Sequence, residues 1–304
     1  MDAFAELRRT KDSSKDLPIE QKKTQNLSQI PRLEKVLRAF LLCCLFLSNT
    51  IPALSFAETI KILSEDDFPP YSYMEKGTLK GLSVDIIRAA FKEQNIDVTF
   101  EGVPYSRCLT KTQNASELAC FNSTYDEKMT NVLIFPKSPL VVISAVAITH
   151  RDNTLGPKVR QISDLHGQKV VLTTGYSYGP FDYDTKIDKH FANSDANVLK
   201  IVANKRATYG VINILAYYYH AKQTDPKTRD ALKISGPIGS GGLYVMFSKK
   251  HRQGAKYAQE FDEGMKKMLT SGKYEKILDQ WGDLLGMSPA ELNEISAKNK
   301  DPLR

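Results

Sequence analysis

The sequence predicts an α/β protein. Short runs of β-branched and apolar residues alternate with longer stretches whose apolar residues recur at helical spacing. Gly- and Pro-bearing loops separate them, and no segment repeats another.

The elements follow in order. Residues 60–63 and 98–100 read as strands on either side of an amphipathic helix over 84–94. Residues 141–149 form a continuous β-branched and apolar run, the pattern of a buried strand, and 169–173 form another. A Gly-bearing loop and a helical stretch come next. Residues 198–203 and 209–214 read as two more short strands. A glycine-rich turn over 236–242 leads into a strand over 241–248. Amphipathic helices are predicted over 255–269 and 274–285. Ser288-Pro289-Ala290-Glu291 has the form of a capping box with Pro at the first helical position, so a last helix starts there.

The most informative loop is FPPYSYMEKGTLKGLSVDII, residues 68–87. Pro69-Pro70 fixes extended backbone and removes two N–H donors. Phe68, Tyr71 and Tyr73 flank it, Glu75-Lys76-Gly77 makes a polar turn, and Gly81 precedes the helix. Loops at strand ends of α/β sheets are where ligands usually bind. The plainer alternative is a hairpin whose aromatics cover a core edge.

At 304 residues, 41% hydrophobic and 25% charged, the chain has the composition of one large or two ordinary globular domains. Residues 1–57 carry nine Lys and Arg against six Asp and Glu, and residues 58–304 carry 33 against 29. With no dense basic cluster, nucleic acid is not an expected partner. The apolar run 39–47 follows Lys35 and Arg38, and the segment ends Ser55-Phe56-Ala57. A basic flank, a short apolar core and small residues before the cut describe a secretory signal cleaved before Glu58. The run is short for a membrane span. Leu42 stands where a lipoprotein signal before Cys43 needs a small residue, which argues against a lipid anchor. Residues 1–34 are polar and exceed a normal signal flank. They are either a leader or an overlong gene start.

Cys43 and Cys44 leave with the signal. Cys108 and Cys120 remain as an even pair in an exported protein, which predicts a disulfide; two free thiols are the alternative. The five His are scattered, and no metal-ligand spacing or phosphate loop occurs, so neither a metal nor a cofactor is expected.

Residues 68–87 resemble the opening of the bacterial solute-binding proteins of family 3, the periplasmic amino-acid-binding type. There an aromatic-Pro-aromatic loop leads through a Gly-x-Leu-x-Gly turn into a helix. Ser163-Asp164-Leu165-His166-Gly167-Gln168-Lys169-Val170 is similar to that family's second-lobe opening. Gly175-Tyr176-Ser177 resembles its Gly-Thr-Thr loop, and residues 272–281, ending at Trp281, its closing helix. The order and spacing carry the resemblance over residues 58–282.

The resemblance implies a two-lobed periplasmic-binding-protein-like fold of type II, with a ligand cleft and two crossover strands. One lobe would hold 58–140 and 242–304, and the other 141–241. It also implies site residues. The family's carboxylate-binding Arg corresponds to Lys128, in Ser123-Thr124-Tyr125-Asp126-Glu127-Lys128. Lys is a point charge and cannot pair bidentately with a carboxylate. The family's ammonium-binding Asp corresponds to Asn213, an amide that brings no charge. Both changes argue against an ordinary α-amino acid. Arg107 either compensates by meeting an anionic group or faces solvent. Phe68, Tyr71 and Tyr178 either stack on a ligand or cover the core, Phe68 falling at the family's stacking position. Ser123 and Ser177 are candidate hydroxyl donors. Tyr217-Tyr218-Tyr219 reads as packing and surface.

The expected function is capture of a small polar solute, amino-acid-like or otherwise anionic or zwitterionic, in the periplasm. The expected partner is an ABC transporter permease, or a membrane sensor, and the expected form a monomer. The alternatives are a sensory protein and a dehydratase-like enzyme on the same fold. The enzyme would need a cleft carboxylate; Glu65, Asp66 and Asp67 lie near the first loop, but nothing in the sequence singles one out.

Overall fold

In a computed structural model, the chain is described over residues 58–288, apart from Leu155, Pro157 and Ser177, and at Glu291. The expected leader and signal, residues 1–57, and Ser177 lie outside the described residues.

β1 (Glu58–Glu65) buries Ile62, Leu63 and Ser64 in succession, as a strand covered on both sides does. It pairs in parallel with β5 (Ile96–Val103), with Ile60 opposite Val98. A parallel pair needs a crossover. Here it runs through the small antiparallel sheet of β2 (Asp67–Phe68), β3 (Ser72–Glu75) and β4 (Thr78–Lys80), then α1 (Leu82–Lys92). α1 buries Leu82, Val84, Ile86, Ile87, Ala90 and Phe91. Gly81, just before it, has φ 141°, and a Cβ there would lie 2.1 Å from the Tyr71 carbonyl oxygen. Only glycine lets the helix start that close to the loop.

α2 (Tyr105–Gln113) and β6 (Ala119–Thr124) follow. Cys108 of α2 and Cys120 of β6 are joined by a disulfide with Cα atoms 5.7 Å apart. Next come β7 (Leu133–Ile134), β8 (Val141–His150), β9 (Lys169–Thr173), β10 (Asp188–Ala192), α3 (Asp195–Ala203), β11 (Tyr209–Asn213), α4 (Ile214–Gln223), α5 (Pro226–Asp230), β12 (Leu232–Ser248), α6 (Gly254–Ser271) and α7 (Lys273–Leu285). The large sheet has the order β10-β9-β11-β8-β12-β6, with β7 beside β12.

Two antiparallel strands link the lobes. β8 and β12 pair from Leu232 opposite His150 to Leu243 opposite Val141. Val141 lies in one hydrophobic core with Ile62, Phe91, Phe247 and Trp281. Val146 and Ile148 lie in another with Val198, Leu199 and Val202. β12 likewise passes from Ile238, in a third core with Tyr209 and Phe181, to Leu243, Val245 and Phe247 in the first.

Two expectations are corrected. Residues 198–203 belong to a helix, not a strand. The Ser194 hydroxyl accepts from Asn197 N (3.3 Å) and caps α3, whose Val198, Leu199 and Val202 are buried. The β-branched residues there serve a helical face. Residues 236–242 are not a turn but the middle of β12, with register shifts at Ile234/Gly236 and Pro237/Gly239. Glycine is needed because a Cβ on Gly236 would lie 1.7 Å from the Val159 carbonyl oxygen.

The Ser288 capping box is present. Ser288 N and Oγ donate to the Glu291 carboxylate at 2.8 and 2.7 Å, and Glu291 N donates back to Ser288 Oγ at 3.4 Å.

Candidate functional site

The aromatic loop is held from both ends. Its Pro69-Pro70 bond is cis. Tyr71 N donates to Phe68 O (2.9 Å), while Leu82 N and Ser83 N donate to Pro70 O (2.9 Å) and Tyr71 O (3.0 Å). The free amides at the start of α1 thus carry the loop. Phe68 and Tyr71 are buried with ring centroids 4.8 Å apart. Phe68 also meets Tyr176, from the loop after β9, edge-on at 5.1 Å. Tyr73 meets Tyr219 of α4 at 5.4 Å. Aromatics of the first lobe therefore pack directly on aromatics of the second.

Polar groups converge at the same place. The Tyr71 hydroxyl donates to Asn213 Oδ1, which also accepts from Leu215 N (3.1 Å) as the cap of α4. Both lone pairs of that oxygen are occupied, so Asn213 has only its Nδ2 to offer a ligand. Nδ2 is buried and has no partner among the described residues. Asp195, the first residue of α3, is 5% exposed and accepts from Thr173 Oγ1. Burial pushes its carboxyl up to about 6, against the lowering effect of the Thr173 bond. Tyr178 accepts from Thr173 N at 3.3 Å.

On the first lobe, the Ser72 hydroxyl donates to Glu65 O (2.6 Å) and accepts from Asn122 Nδ2 (2.8 Å). Since that hydroxyl's proton is already committed, Asn122 must face it with nitrogen. Asn122 Oδ1 is left buried without a partner among the described residues. Asn122 is the extra residue of a bulge against β12, at φ 69°. The Tyr105 hydroxyl donates to Ser123 Oγ (3.0 Å), which donates to Thr124 O (3.0 Å), so the Ser123 hydroxyl is occupied. The Glu65 side chain has no hydrogen-bond partner among the described residues. Burial, then Asp66, Asp67 and Asp195, push its carboxyl up to about 8. Burial first, then the charges of Asp195, Glu65 and Asp67 among others, raise the Tyr176 hydroxyl far above its ordinary value. Asp67 also faces His220 of α4, which burial holds down to about 4, so that imidazole is neutral at physiological pH.

The structure thus brings Phe68, Tyr71, Tyr178 and Asn213 to one region, while Ser123 is held by Tyr105 and Thr124 on the first lobe. Arg107, on the first turn of α2, and Lys128, on a short 3₁₀ turn (Glu127–Asn131), are exposed. Neither has an ion-pair partner among the described residues, and neither is among the charges acting on Glu65, Asp195 or Tyr176. Sequence reading missed Asp195, Thr173 and Asn122. Ser194-Asp195 as a helix start was the usable signal for the first.

The fold and its cleft define a two-lobed binding protein. The sequence model of the bacterial extracellular solute-binding proteins, family 3, matches residues 60–284, and the chain belongs to that family. It is 27% identical over 225 residues to an arginine-binding periplasmic protein of Mannheimia haemolytica, covering 72% of this chain and 90% of that one. The fold is similar to a histidine kinase sensor domain (TM-score 0.60, 19% identity, 74% of this chain and 96% of that one). It is also similar to an ancestral arginine-binding protein bound to arginine (TM-score 0.59, 18% identity, 74% and 99%). Among the described residues, no helix is long and apolar enough to cross a membrane.

Proposed function

We propose that the protein is exported to the periplasm, where it captures a small polar solute between its lobes and hands it to the permease of an ABC transporter. Of the described residues, those in 58–140 and 242–291 form one moving body and those in 141–241 the other, hinged where β8 and β12 cross. The supporting observation is that each lobe holds a buried polar atom with no partner among the described residues, Asn122 Oδ1 in one and Asn213 Nδ2 in the other. Native proteins pair such atoms with protein, water or ligand. Recognition needs only preorganised groups and lobe closure. The relative named for arginine agrees with an acidic, aromatic cleft, since a guanidinium suits both features.

A dehydratase-like enzyme is the second reading, and Glu65 favours it: a carboxyl held up to about 8 is protonated at neutral pH, as a general acid must be. A thermal-shift screen of amino acids, small carboxylates and amines tests the first reading. Binders should raise Tm and be recovered unchanged by mass spectrometry. No stabilising compound would overturn capture, and chemical conversion of a binder would favour the enzyme.

A further inference from the structure

We propose that α4 is a clasp that holds the two lobes together when the cleft is empty, so that the solute-free protein rests closed. The proposal goes beyond solute capture and rests on the same division into two bodies.

The argument starts from the sequence of α4, Ile214-Leu215-Ala216-Tyr217-Tyr218-Tyr219-His220-Ala221-Lys222-Gln223. Leu215, Tyr218, Tyr219 and Lys222 stand three or four residues apart and share one stripe of the helix. Ala216, Tyr217 and Ala221 lie off that stripe. The cores divide the same way. Ala216 and Ala221 belong to the second lobe's core with Val198 and Val202, and Tyr217 packs against it. Leu215 belongs to the first lobe's core with Trp281 and Leu285, and Tyr218 and Tyr219 pack against it. One helix is therefore built into its own lobe by one face and docked on the other lobe by another.

The first lobe grips the docked stripe along its length. At the N-terminal end, the Tyr71 hydroxyl donates to Oδ1 of Asn213, the cap of α4. Farther along, Tyr73 meets Tyr219 with ring centroids 5.4 Å apart. At the C-terminal end, Lys222 Nζ donates to Leu284 O at 2.7 Å. That carbonyl is among the last four of α7, which have no intrahelical donor, so an ammonium suits it. Beyond α7, Gly286 at φ 74° turns the chain, and Glu291 reaches Tyr218. The capping box uses only Glu291 Oε2, which accepts from Ser288 N and Oγ. Oε1 remains, and the Tyr218 hydroxyl donates to it. The carboxylate is thus positioned by its own segment, independently of the second lobe.

None of these contacts passes through a solute, so all of them stand with the cleft empty. Opening would return Leu215, 4% exposed, to water and break the polar contacts together. A protein with two arrangements populates the one its own contacts favour, and a solute then adds to that preference.

Small-angle X-ray scattering and hydrogen–deuterium exchange test this on the protein shown free of bound solute by native mass spectrometry. The variant Tyr218→Phe/Lys222→Met/Glu291→Gln removes polar links and keeps side-chain size. It should have a larger radius of gyration than wild type, and residues 68–73 and 209–213 should exchange at least fivefold faster, with α6 unchanged. Tyr217→Phe, on the face that meets its own lobe, should match wild type in both measurements. If the triple variant unfolds by circular dichroism, Tyr218→Phe alone should enlarge the radius and speed the same exchange at least twofold. Equal radius and exchange in wild type and clasp variants overturns the clasp, as does an equal effect of Tyr217→Phe. Either result leaves solute capture standing, which the thermal-shift screen decides separately.

Discussion

Glu65 carries most of the residue-scale argument. A carboxyl raised to about 8 in the folded chain, against 4.5 as its ordinary value, binds a proton that the unfolded chain has already lost. Stability therefore falls as pH rises from about 4.5 to 8, the opposite of a salt-bridged carboxylate. Asp195 adds a smaller term of the same sign between about 4 and 6. Asp66 and Asp67 on the first loop and Asp195 on α3 are the charges that act on Glu65. Glu65→Gln should stabilise the ligand-free protein at pH 8 by on the order of 2 kcal/mol and flatten the decline between pH 5 and 8. Chemical denaturation across that range measures it. A destabilised Glu65→Gln protein at pH 8 would mean that Glu65 has a favourable partner. Little of this was legible in the sequence. Glu65, Asp66 and Asp67 look alike as letters, and only folding half-buries the first two and leaves the third exposed. Phe68 and Tyr71 were legible because Pro-Pro and Gly81 announce a constrained loop. Lys128 and Arg107 are exposed, and their letters alone do not say which way a side chain faces.

At the scale of elements, strands with plain alternation or an apolar run were legible. β9 (Lys169–Thr173) has the predicted bounds, and α7 differs from its prediction by one residue. The failures have physical causes. α3 is rich in β-branched residues, but its Ser194 cap and buried Val198, Leu199 and Val202 outweigh strand propensity. The glycines of β12 looked like a turn, yet they are where that strand passes close to Val159 and crosses between cores. Their pairs run from Gly236 opposite Ala147 to Gly242 opposite Val142. The disulfide is the element-scale prediction. It ties α2 to β6, the strand that carries Asn122 and Ser123. Thiol titration of the denatured, unreduced exported protein should find none. Replacing both Cys by Ser should cost roughly 2–3 kcal/mol, given the short loop closed. Two free thiols would contradict the bridge.

Over the whole molecule, the net charge and the charged groups nearest Tyr176 differ in sign. Residues 58–304 carry 33 Lys and Arg against 29 Asp and Glu, yet the groups meeting around Tyr176 are acidic. Selectivity therefore belongs to the cleft and not to the net charge, whose long-range effect is screened within about 8 Å at physiological salt. The lobes already touch through Phe68 on Tyr176, Tyr73 on Tyr219 and the Tyr71–Asn213 hydrogen bond. Lys222 of α4 also donates to Leu284 O of α7 at 2.7 Å. A ligand held between two bodies must protect both at once. Hydrogen–deuterium exchange, with and without a compound that raises Tm, tests this most directly. The account predicts slowed exchange in residues 65–73 of one lobe together with 173–178 and 195–213 of the other. Protection confined to one lobe, or to a surface away from both segments, would contradict it.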